Sequence, residues 1–253
     1  MGFADIHIHS VYSYDATGTI PAILKFAAER TDLDIIAITD HDSMRGVHLA
    51  QSLAPQYGVQ VVPGCEVSTS DGHLLTLFVA EQIPAGLSLI DTVLRARNLG
   101  GLCVVPHPQA AGTSSVRYPV LEAALENERV RETLVGIETF NGGLVYTRSN
   151  QDARGKAREF GLSALGNSDA HILEMIGQGT TGFAGYTLED FRNSLLAGKT
   201  FAREGHRLSG SAVLRRYLPR YFLRRLGWAA WTSGPQAPIK MTRLSQTIDQ
   251  QPG

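Results

Sequence analysis

The sequence has only two cysteines, Cys65 and Cys103, and no apolar run long enough to span a bilayer. Two cysteines cannot build a disulfide framework, so a reduced, cytoplasmic compartment is expected. The first residues lack the basic and apolar segments of a secretory signal. Repeats of fixed period, a dinucleotide fingerprint and a Walker-type phosphate loop are missing as well. With 43% hydrophobic residues, the 253-residue chain is predicted to form a globular domain of ordinary size.

Charge is distributed unevenly along the chain, although the net charge is only -1. Residues 203–253 carry nine Lys or Arg and two Asp or Glu, whereas the preceding residues carry 14 basic and 22 acidic side chains. An acidic body followed by a basic tail indicates a main domain with an appendage. An acidic body also suits a protein that collects divalent cations.

The body alternates short β-rich runs with helical patterns. The predicted strands are 4–8, 34–39, 59–67, 74–79, 102–105, 134–140 and 162–165. Helices are predicted from Ile20, from Ser43 as N-cap, from Ser88, from about Asn150 and from Leu188, and a loop is predicted around Gly177 and 180–181. Strand–helix alternation over about 200 residues favours a parallel sheet covered by helices, closed into a barrel.

Polar side chains cluster just after the predicted strands, where a parallel barrel places its active site. His7 and His9 are two residues apart on a strand, so their imidazoles face the same side. Each polar element alone is more often a structural feature, but six of the eight histidines fall in such elements. Mixed imidazole and carboxylate donors suit Zn, Mn or Fe better than Mg or Ca. The elements are 5–9 with Asp15, 39–42, 64–66, His73, 106–108 and 168–171.

These motifs resemble the series found in PHP (polymerase and histidinol phosphatase) domains. The resemblance covers Phe3 to about Arg203 and implies an α/β fold, a distorted seven-stranded (β/α) barrel. Within the family, the chain looks like short stand-alone members related to bacterial nucleotide phosphatases and RNA 5′-end exonucleases. It differs from them between Pro108 and Ser168, where they carry a longer insertion that helps to form the substrate site.

The resemblance also implies a centre of two or three divalent metal ions (Zn, Mn or Fe), with Glu66 bridging two of them. The implied ligands are His7, His9, Glu66 and Asp169 for the first ion, Glu66, His73 and His107 for the second, and Asp15, His41 and His171 for the third. Glu66, Asp40 and Asp5 are the predicted catalytic residues. Asp5 is expected to orient an imidazole, and Asp40 to orient His41 or to act in proton transfer. The predicted substrate contacts are Glu138, Asn141 and Arg148, with a capped turn as the alternative for the first two and a solvated basic face as the alternative for the third.

The implied reaction is hydrolysis of phosphate esters, because neighbouring metals lower the pKa of a shared water to about 7. Small phosphomonoesters or nucleotides are the preferred substrates. One alternative is an exonuclease acting on short RNA or DNA, with the basic tail contacting the backbone. Another, from a different class, is a non-catalytic metal-binding module that docks on a polymerase or a membrane.

The sequence indicates a barrel, residues 1–203, followed by a basic, aromatic-containing tail, residues 204–253. The tail is expected to be partly disordered, chiefly after Ser233. Pro219 is expected to break or kink any helix in the tail. Three alternatives remain open: a helix on the barrel with a basic outer face, a peripheral anchor at the inner membrane surface, or an RNA-tracking arm. Because every implied ligand precedes the tail, its deletion is expected to leave hydrolysis of a small phosphomonoester unchanged.

Overall fold

The computed structural model describes residues 1–144 and 146–226, together with the short strands at 228–229 and 239–240. Its strands are β1 (Gly2–Ile8), β2 (Ile35–Ile38), β3 (Gln60–Thr69), β4 (Gly72–Leu77), β5 (Leu102–Val105), β6 (Leu134–Asn141), β7 (Ser163–Asn167), β8 (Gly179–Phe183), β9 (Phe201–Glu204), β10 (Trp228–Ala229) and β11 (Ile239–Lys240). Its α-helices are α1 (Ile20–Arg30), α2 (Arg45–Leu53), α3 (Leu89–Asn98), α4 (Tyr118–Leu125), α5 (Glu128–Thr133), α6 (Thr147–Phe160), α7 (Leu188–Leu196) and α8 (Gly210–Arg225).

Nine strands form one sheet in the order β7-β6-β5-β4-β3-β2-β1-β8-β9. The pairs β1–β2, β2–β3, β5–β6 and β6–β7 are parallel, but β4 is antiparallel to both neighbours and β8 is antiparallel to β1 and β9. The prediction of an all-parallel, seven-stranded sheet is therefore not confirmed. The physical reason for β4 is local, since only two residues separate it from β3 and a parallel pair needs a long crossover.

The two additional strands, β8 and β9, lie where the sequence predicts a loop and the start of the tail. Thr180 and Thr181 belong to β8, so the loop assignment there is wrong. Glycine weakens the strand pattern of β8, but Gly182 is required by packing, because a Cβ there would overlap the ring of Phe201. Only the neighbouring strand reveals this constraint.

The sheet curls until β7 lies beside β8 and β1, which makes it nearly a closed barrel. The Thr181 hydroxyl donates to the carbonyl of Gly166 at 2.9 Å and accepts from the amide of Gly166 at 3.1 Å. The side-chain oxygen of Asn167 accepts from the amide of Ile6 at 3.1 Å. These bonds join both ends of the curled sheet, and the ends of the parallel strands are thereby brought to one mouth.

The helices cover the sheet through apolar faces that the sequence patterns predict. In α1, Thr19 caps the helix by accepting from the amide of Ala22, and Pro21 occupies the first turn. Ser88 caps α3 as predicted. The prediction of Ser43 as a cap is wrong, because α2 begins after Met44, which makes no side-chain cap bond.

The described part of the tail continues the sheet and then packs on the barrel. Residue 203, the predicted boundary, lies inside β9. Helix α8 runs through Pro219 without ending there, and Val213 in its second turn is buried. The expected disorder after Ser233 concerns residues that lie outside those described, apart from the backbone of β11.

The predicted basic outer face of α8 is formed only in part, because Arg215 and Arg225 are exposed but other arginines of the helix turn towards the barrel. Arg220 makes a bidentate ion pair with Glu174 at 2.7 and 2.8 Å, and Arg224 donates to barrel carbonyls. These arginines turn inward because the barrel offers acceptors for their guanidinium groups. No helix among the described residues has the length and apolarity needed to cross a bilayer. The exposed large apolar residues in and directly after α8 are Leu214, Leu218, Phe222 and Leu226.

Candidate metal centre and active site

The nine residues implied as metal ligands come together at one mouth of the barrel. His7 lies in β1, Glu66 in β3 and His73 in β4, so three strands contribute directly. The remaining six follow the ends of strands and are carried by loops whose ends the sheet holds in place. They are His9 and Asp15 after β1, His41 after β2, His107 after β5, and Asp169 and His171 after β7.

Glu66 is the centre of the cluster. Its carboxylate is fully buried, and its two oxygens lie between 3.0 and 3.3 Å from ring nitrogens of five histidines. Oε2 faces one group of three imidazoles and Oε1 faces the other two. The partners are His7, His9 and His41 on Oε2, and His73 and His107 on Oε1.

Asp169 and Asp15 supply the other carboxylates. Oδ1 of Asp169 lies 3.4 Å from Nε2 of His7, 3.3 Å from Nε2 of His9 and 3.6 Å from Nδ1 of His171. Oδ2 of Asp15 lies 3.1 Å from Nε2 of His171 and 3.5 Å from Nε2 of His41. Three carboxylates thus alternate with six imidazoles in one continuous cluster.

Four overlapping subsets have ligand atoms that all lie within 4.8 Å of one another, the spacing that a shared ion requires. The subset that includes Asp15 contains all the residues of the implied third position, and His9 in addition. Two other subsets differ from the implied grouping. In one, His107 falls with His7 and Asp169, and in the other, His41 falls with Glu66 and His73. The subsets are His9, Asp15, His41 and His171; His7, His9 and Glu66; His7, His107 and Asp169; and His41, Glu66 and His73.

Five buried polar atoms in the cluster have no hydrogen-bond partner, and this is the best test of whether metals fit. Leaving such atoms unpaired in a buried site costs free energy, and a bound cation removes that cost. The donors are imidazole nitrogens and carboxylate oxygens, the set that Zn, Mn and Fe accept. The residues therefore fit divalent metal ions. The atoms are Nε2 of His7, Nε2 of His9, Nδ1 of His41, Oε2 of Glu66 and Oδ1 of Asp15.

Electrostatics keep the carboxylates ionised. Burial alone opposes their charge, but the neighbouring imidazoles hold the pKa of Glu66 and of Asp169 well below the ordinary range. Burial, reinforced by the charges of His171 and His41, lowers the pKa of His9 to about 4. Although burial opposes the charge of an imidazole, the carboxylates raise the pKa of His7 and of His171. A metal ion bound there would displace a proton, because a neutral imidazole and an ionised carboxylate are the forms that bind a metal.

Most of the imidazoles are oriented through their second nitrogen, as is usual for metal ligands. Nδ1 of His7 donates to Glu138 at 2.8 Å, and Nδ1 of His171 donates to the carbonyl of Asp169 at 2.9 Å. Nδ1 of His9 lies 3.2 Å from the Ser13 hydroxyl, which also accepts from the amide of His41. Nδ1 of His107 lies 3.1 Å from the hydroxyl of Ser115.

Two of the candidate ligands have left-handed backbone conformations. His107 has φ of 28° and Asp169 has φ of 51°. A residue with a Cβ pays for such a conformation in strain, which is concentrated at functional sites. At His107 the geometry is held by Glu138, whose Oε2 accepts from the His107 amide at 2.8 Å.

The cluster opens into a pocket of about 330 Å³. Two tyrosines that the sequence analysis overlooks form part of its wall. Tyr14 stacks on His41 with ring centres 4.9 Å apart, and Tyr146 stacks on His107 at 5.2 Å. Tyr14 could have been found from its place beside Asp15, whereas nothing in the sequence marks Tyr146. The other lining residues are Asp15, Glu66, His73, Gly112, Thr113, Ser114, Asp169 and His171.

Comparison with known families decides the assignment. Residues 5–133 match the PHP domain family, and residues 147–200 match the PHP-associated family. The chain belongs to the PHP domain family. All nine candidate ligands except Asp169 and His171 lie within the first match, and those two lie within the second.

Two relatives of this PHP protein differ in the share of their length that is matched, and one of the two has a named activity. It is 34% identical over 148 residues to an uncharacterized protein of Methanocaldococcus jannaschii, covering 54% of this chain and 81% of that one. It is 36% identical over 137 residues to a phosphoribosyl 1,2-cyclic phosphate 1,2-diphosphodiesterase of Eggerthella lenta, covering 51% of this chain but only half of that protein.

The fold of the PHP protein is also found in solved structures. A two-domain protein of Bacteroides vulgatus, described as containing a predicted PHP-like metal-dependent phosphoesterase, matches with a TM-score of 0.66. The match covers 87% of this chain and 68% of that chain at 22% identity, and it supports the fold. Family membership, this neighbour and the diphosphodiesterase relative agree on an enzyme that hydrolyses phosphate esters.

Asp5 and Asp40 are fully buried and do not face the pocket of the PHP protein. Asp5 accepts from the amides of Ser168 and Gly177 at 3.0 and 2.9 Å. Asp40 accepts from the amide and hydroxyl of Ser10 at 2.6 and 2.7 Å. Burial raises the pKa of each to about 6. Both aspartates hold loops that carry candidate ligands, so we propose that they position those loops and do not transfer protons.

The predicted substrate contacts also take different places. Glu138 and Asn141 are fully buried beneath the cluster, where the Asn141 amide donates to Glu138 at 2.9 Å. Asn167, which the sequence analysis overlooks, donates to the other oxygen of Glu138 at 2.8 Å. Arg148 is exposed on α6 and is not among the described residues that line the pocket. We propose that Glu138 and Asn141 position His7 and Asp169 and do not touch the substrate.

Proposed function

We propose that this protein hydrolyses small phosphomonoesters or nucleotides with a centre of two or three divalent metal ions. The observation that carries the proposal is the convergence of five unpaired buried donor atoms on a pocket of about 330 Å³. His7, His9, Glu66 and Asp169 would hold ions at the base of the pocket. Asp15, His41 and His171 would hold one nearer to the solvent, with His73 and His107 completing the second position beside Glu66.

Bound divalent ions supply Lewis acidity and make water a nucleophile near neutral pH. The pocket itself supports the need for them, because no Lys or Arg is among its described lining residues. Imidazoles and hydroxyl groups alone do not neutralise a phosphate dianion. The negative charge of the substrate would therefore be balanced mainly by the metals.

Other side chains of the chain bind and orient the substrate. Burial, together with Asp169, Glu66 and Glu138, raises the pKa of Tyr146 far above the ordinary value. Its hydroxyl therefore stays protonated and serves as a hydrogen-bond donor in the pocket wall. Thr113 and Ser114 also line the pocket, and Ser114 offers its hydroxyl group to a phosphoryl oxygen.

A second candidate function is hydrolysis of a phosphodiester. It is favoured by the relative from Eggerthella lenta, which is a phosphoribosyl 1,2-cyclic phosphate 1,2-diphosphodiesterase. For the RNA or DNA exonuclease alternative, Arg220 and Arg224 are engaged by the barrel, whereas Arg215 and Arg225 of the tail are exposed. A non-catalytic metal-binding module has no need of a pocket beside its metals, and here most of the candidate ligands border one.

The test is a substrate panel on protein loaded in turn with Zn, Mn or Fe. The panel contains nucleoside monophosphates, bisphosphates, histidinol phosphate, a cyclic phosphodiester and short oligonucleotides. Elemental analysis of the same samples should find more than one metal per chain, and phosphate release should be greatest with the monophosphates. Protein that holds metal and hydrolyses nothing in the panel contradicts the proposal, as does protein that takes up no metal.

A further inference from the structure

A second, apolar pocket of about 230 Å³ adjoins the metal cluster. Tyr146, Asp169 and His171 line both pockets, so the two pockets lie side by side and share this wall. We call the second pocket the annex. Its remaining walls carry no charged side chain among the described residues, and they consist of Gly143, Leu144, Met175, Val213, Leu214 and Tyr217.

Helix α8 supplies one side of the annex through Val213, Leu214 and Tyr217. Two contacts hold the helix there, one beside Met175 and one at Gly143. Arg220 pairs with Glu174, the neighbour of Met175. Arg207, just before the helix, donates to the carbonyl of Gly143 at 2.8 Å.

From these walls we infer that the annex receives an aromatic or similarly sized apolar group on the alcohol side of the phosphate ester. The inference rests on the proposed hydrolysis and names the substrate class more narrowly. A phosphoryl group on the cluster would leave its ester oxygen pointing towards either the solvent or the annex. Of these two directions, the annex is the one that offers apolar surface, and surface of this kind is the usual source of binding energy for a ligand body.

The size and chemistry of the annex limit the group that fits. An apolar cavity of roughly 150 Å³ is sufficient for benzene, so a pocket of about 230 Å³ has room for one ring. Tyr217 and Tyr146 contribute aromatic rings to the walls of the annex, beside which another ring can pack in offset or edge-to-face geometry. A hydroxyl-rich group such as the ribose of a nucleotide would lose its water contacts here without new partners, which is unfavourable. The annex therefore narrows the proposed substrates to phosphomonoesters of apolar alcohols.

Leu214 is the residue best placed to test specificity, because it lines the annex from the rim and remains half-exposed. Leu214→Trp should fill the annex without disturbing the buried core. The matched control is Leu218→Trp, one turn further along α8, where the side chain is exposed and does not line the annex. Melting curves check that both variants fold.

The substrates are benzyl phosphate and methyl phosphate, which differ in the apolar group but share an alkoxide leaving group. Leu214→Trp should lower kcat/KM for benzyl phosphate at least tenfold and change that for methyl phosphate less than twofold. The estimate follows from hydrophobic pockets, where one methylene changes kcat/KM by roughly 10- to 200-fold. Leu218→Trp should match the unmodified protein with both esters.

Binding of unreactive analogues gives a readout that does not depend on turnover. Metal-loaded protein should bind 2-phenylethylphosphonate at least tenfold more tightly than ethylphosphonate by calorimetry, and Leu214→Trp should abolish that preference. Equal binding of the two phosphonates, or equal losses with both esters in Leu214→Trp, overturns the annex assignment. If no ester is hydrolysed, the proposed function fails, and the phosphonate preference still decides whether the annex binds the apolar group.

Discussion

The guanidinium of Arg224 donates a hydrogen bond of 2.7 Å to the carbonyl of Ala16, the residue that follows Asp15. A second bond of 3.2 Å reaches the carbonyl of Val11, so the arginine binds the backbone on both sides of Asp15. Helix α8 therefore supports the candidate metal centre although it lies in the basic tail. This contact speaks against the expectation that the tail can be deleted without effect.

Arg224→Met should loosen this loop while keeping most of the apolar stem. Hydrogen bonds from a charged donor contribute roughly 1.5–3 kcal/mol each, so a measurable fall in melting temperature is expected. Metal content should fall by up to one ion, because Asp15 loses its support, and hydrolysis should fall several-fold. Arg225→Met, at the exposed neighbouring position, is the control. Equal metal content and activity in both variants would show that α8 has no part in the site.

Glu66→Ala should abolish hydrolysis and lower metal content by more than one ion. The reason is that Oε1 and Oε2 face different sets of imidazoles, so one carboxylate serves two positions. Elemental analysis and a phosphate-release assay measure the two effects. Glu122→Ala on α4, where the side chain is exposed, controls for the loss of a carboxylate. Loss of a single ion with most of the activity kept would contradict the bridging role.

Glu138→Gln tests the role of the buried glutamate as a positioning residue. Removing an outer partner of a metal-bound histidine typically weakens metal affinity or activity by roughly 10- to 100-fold. We expect an effect of this size on metal affinity, because Glu138 contacts His7 and the His107 amide. The KM for small esters should change much less than kcat, because Glu138 is buried beneath the cluster and does not line the pocket. A rise in KM with unchanged kcat and metal affinity would instead support direct substrate contact.

Cys65→Ala should leave turnover nearly intact. The thiol is buried, donates to the carbonyl of Asp40 at 3.3 Å, and has a pKa raised by burial, so it is not a nucleophile. A small loss of melting temperature is expected from the lost packing. Cys103→Ala on β5 is the matched control, since Cys103 is buried as well. A collapse of activity with metal still bound would restore a thiol mechanism.

Exposed apolar residues on α8 keep a peripheral membrane contact as a hypothesis. Phe222 is 61% exposed and Leu218 is 43% exposed, on the same face of the helix. Phe222→Glu should reduce co-sedimentation with anionic vesicles, and residual binding should fall with salt because screening acts over about 8 Å at physiological ionic strength. Gln51→Glu on α2 adds the same charge elsewhere. Equal co-sedimentation of the two variants and the unmodified protein removes this face as an anchor.

The sequence by itself determined which residues meet at the mouth of the barrel and the family to which they belong. This was possible because the information is local and chemical: imidazoles two residues apart on β1 must share a face, and strand ends in a parallel arrangement gather at one edge. The positions of β1, β2, β5 and β7 follow from their apolar runs for the same reason. The predicted bounds of β5 match the structure, and those of the other three lie within about two residues of it.

Only the tertiary structure decided what surrounds those residues. Glu138 and Asp169 lie 31 residues apart along the chain, and their roles depend on the register of β6 against β7. The Gly-rich β8 is a strand because β1 and β9 pair with it, not because its own residues have a high strand propensity. The arginines of α8 turn inward because Glu174 and the carbonyls of Val11 and Ala16 lie within reach. Sequence spacing cannot express such contacts, since each depends on where a distant segment comes to rest.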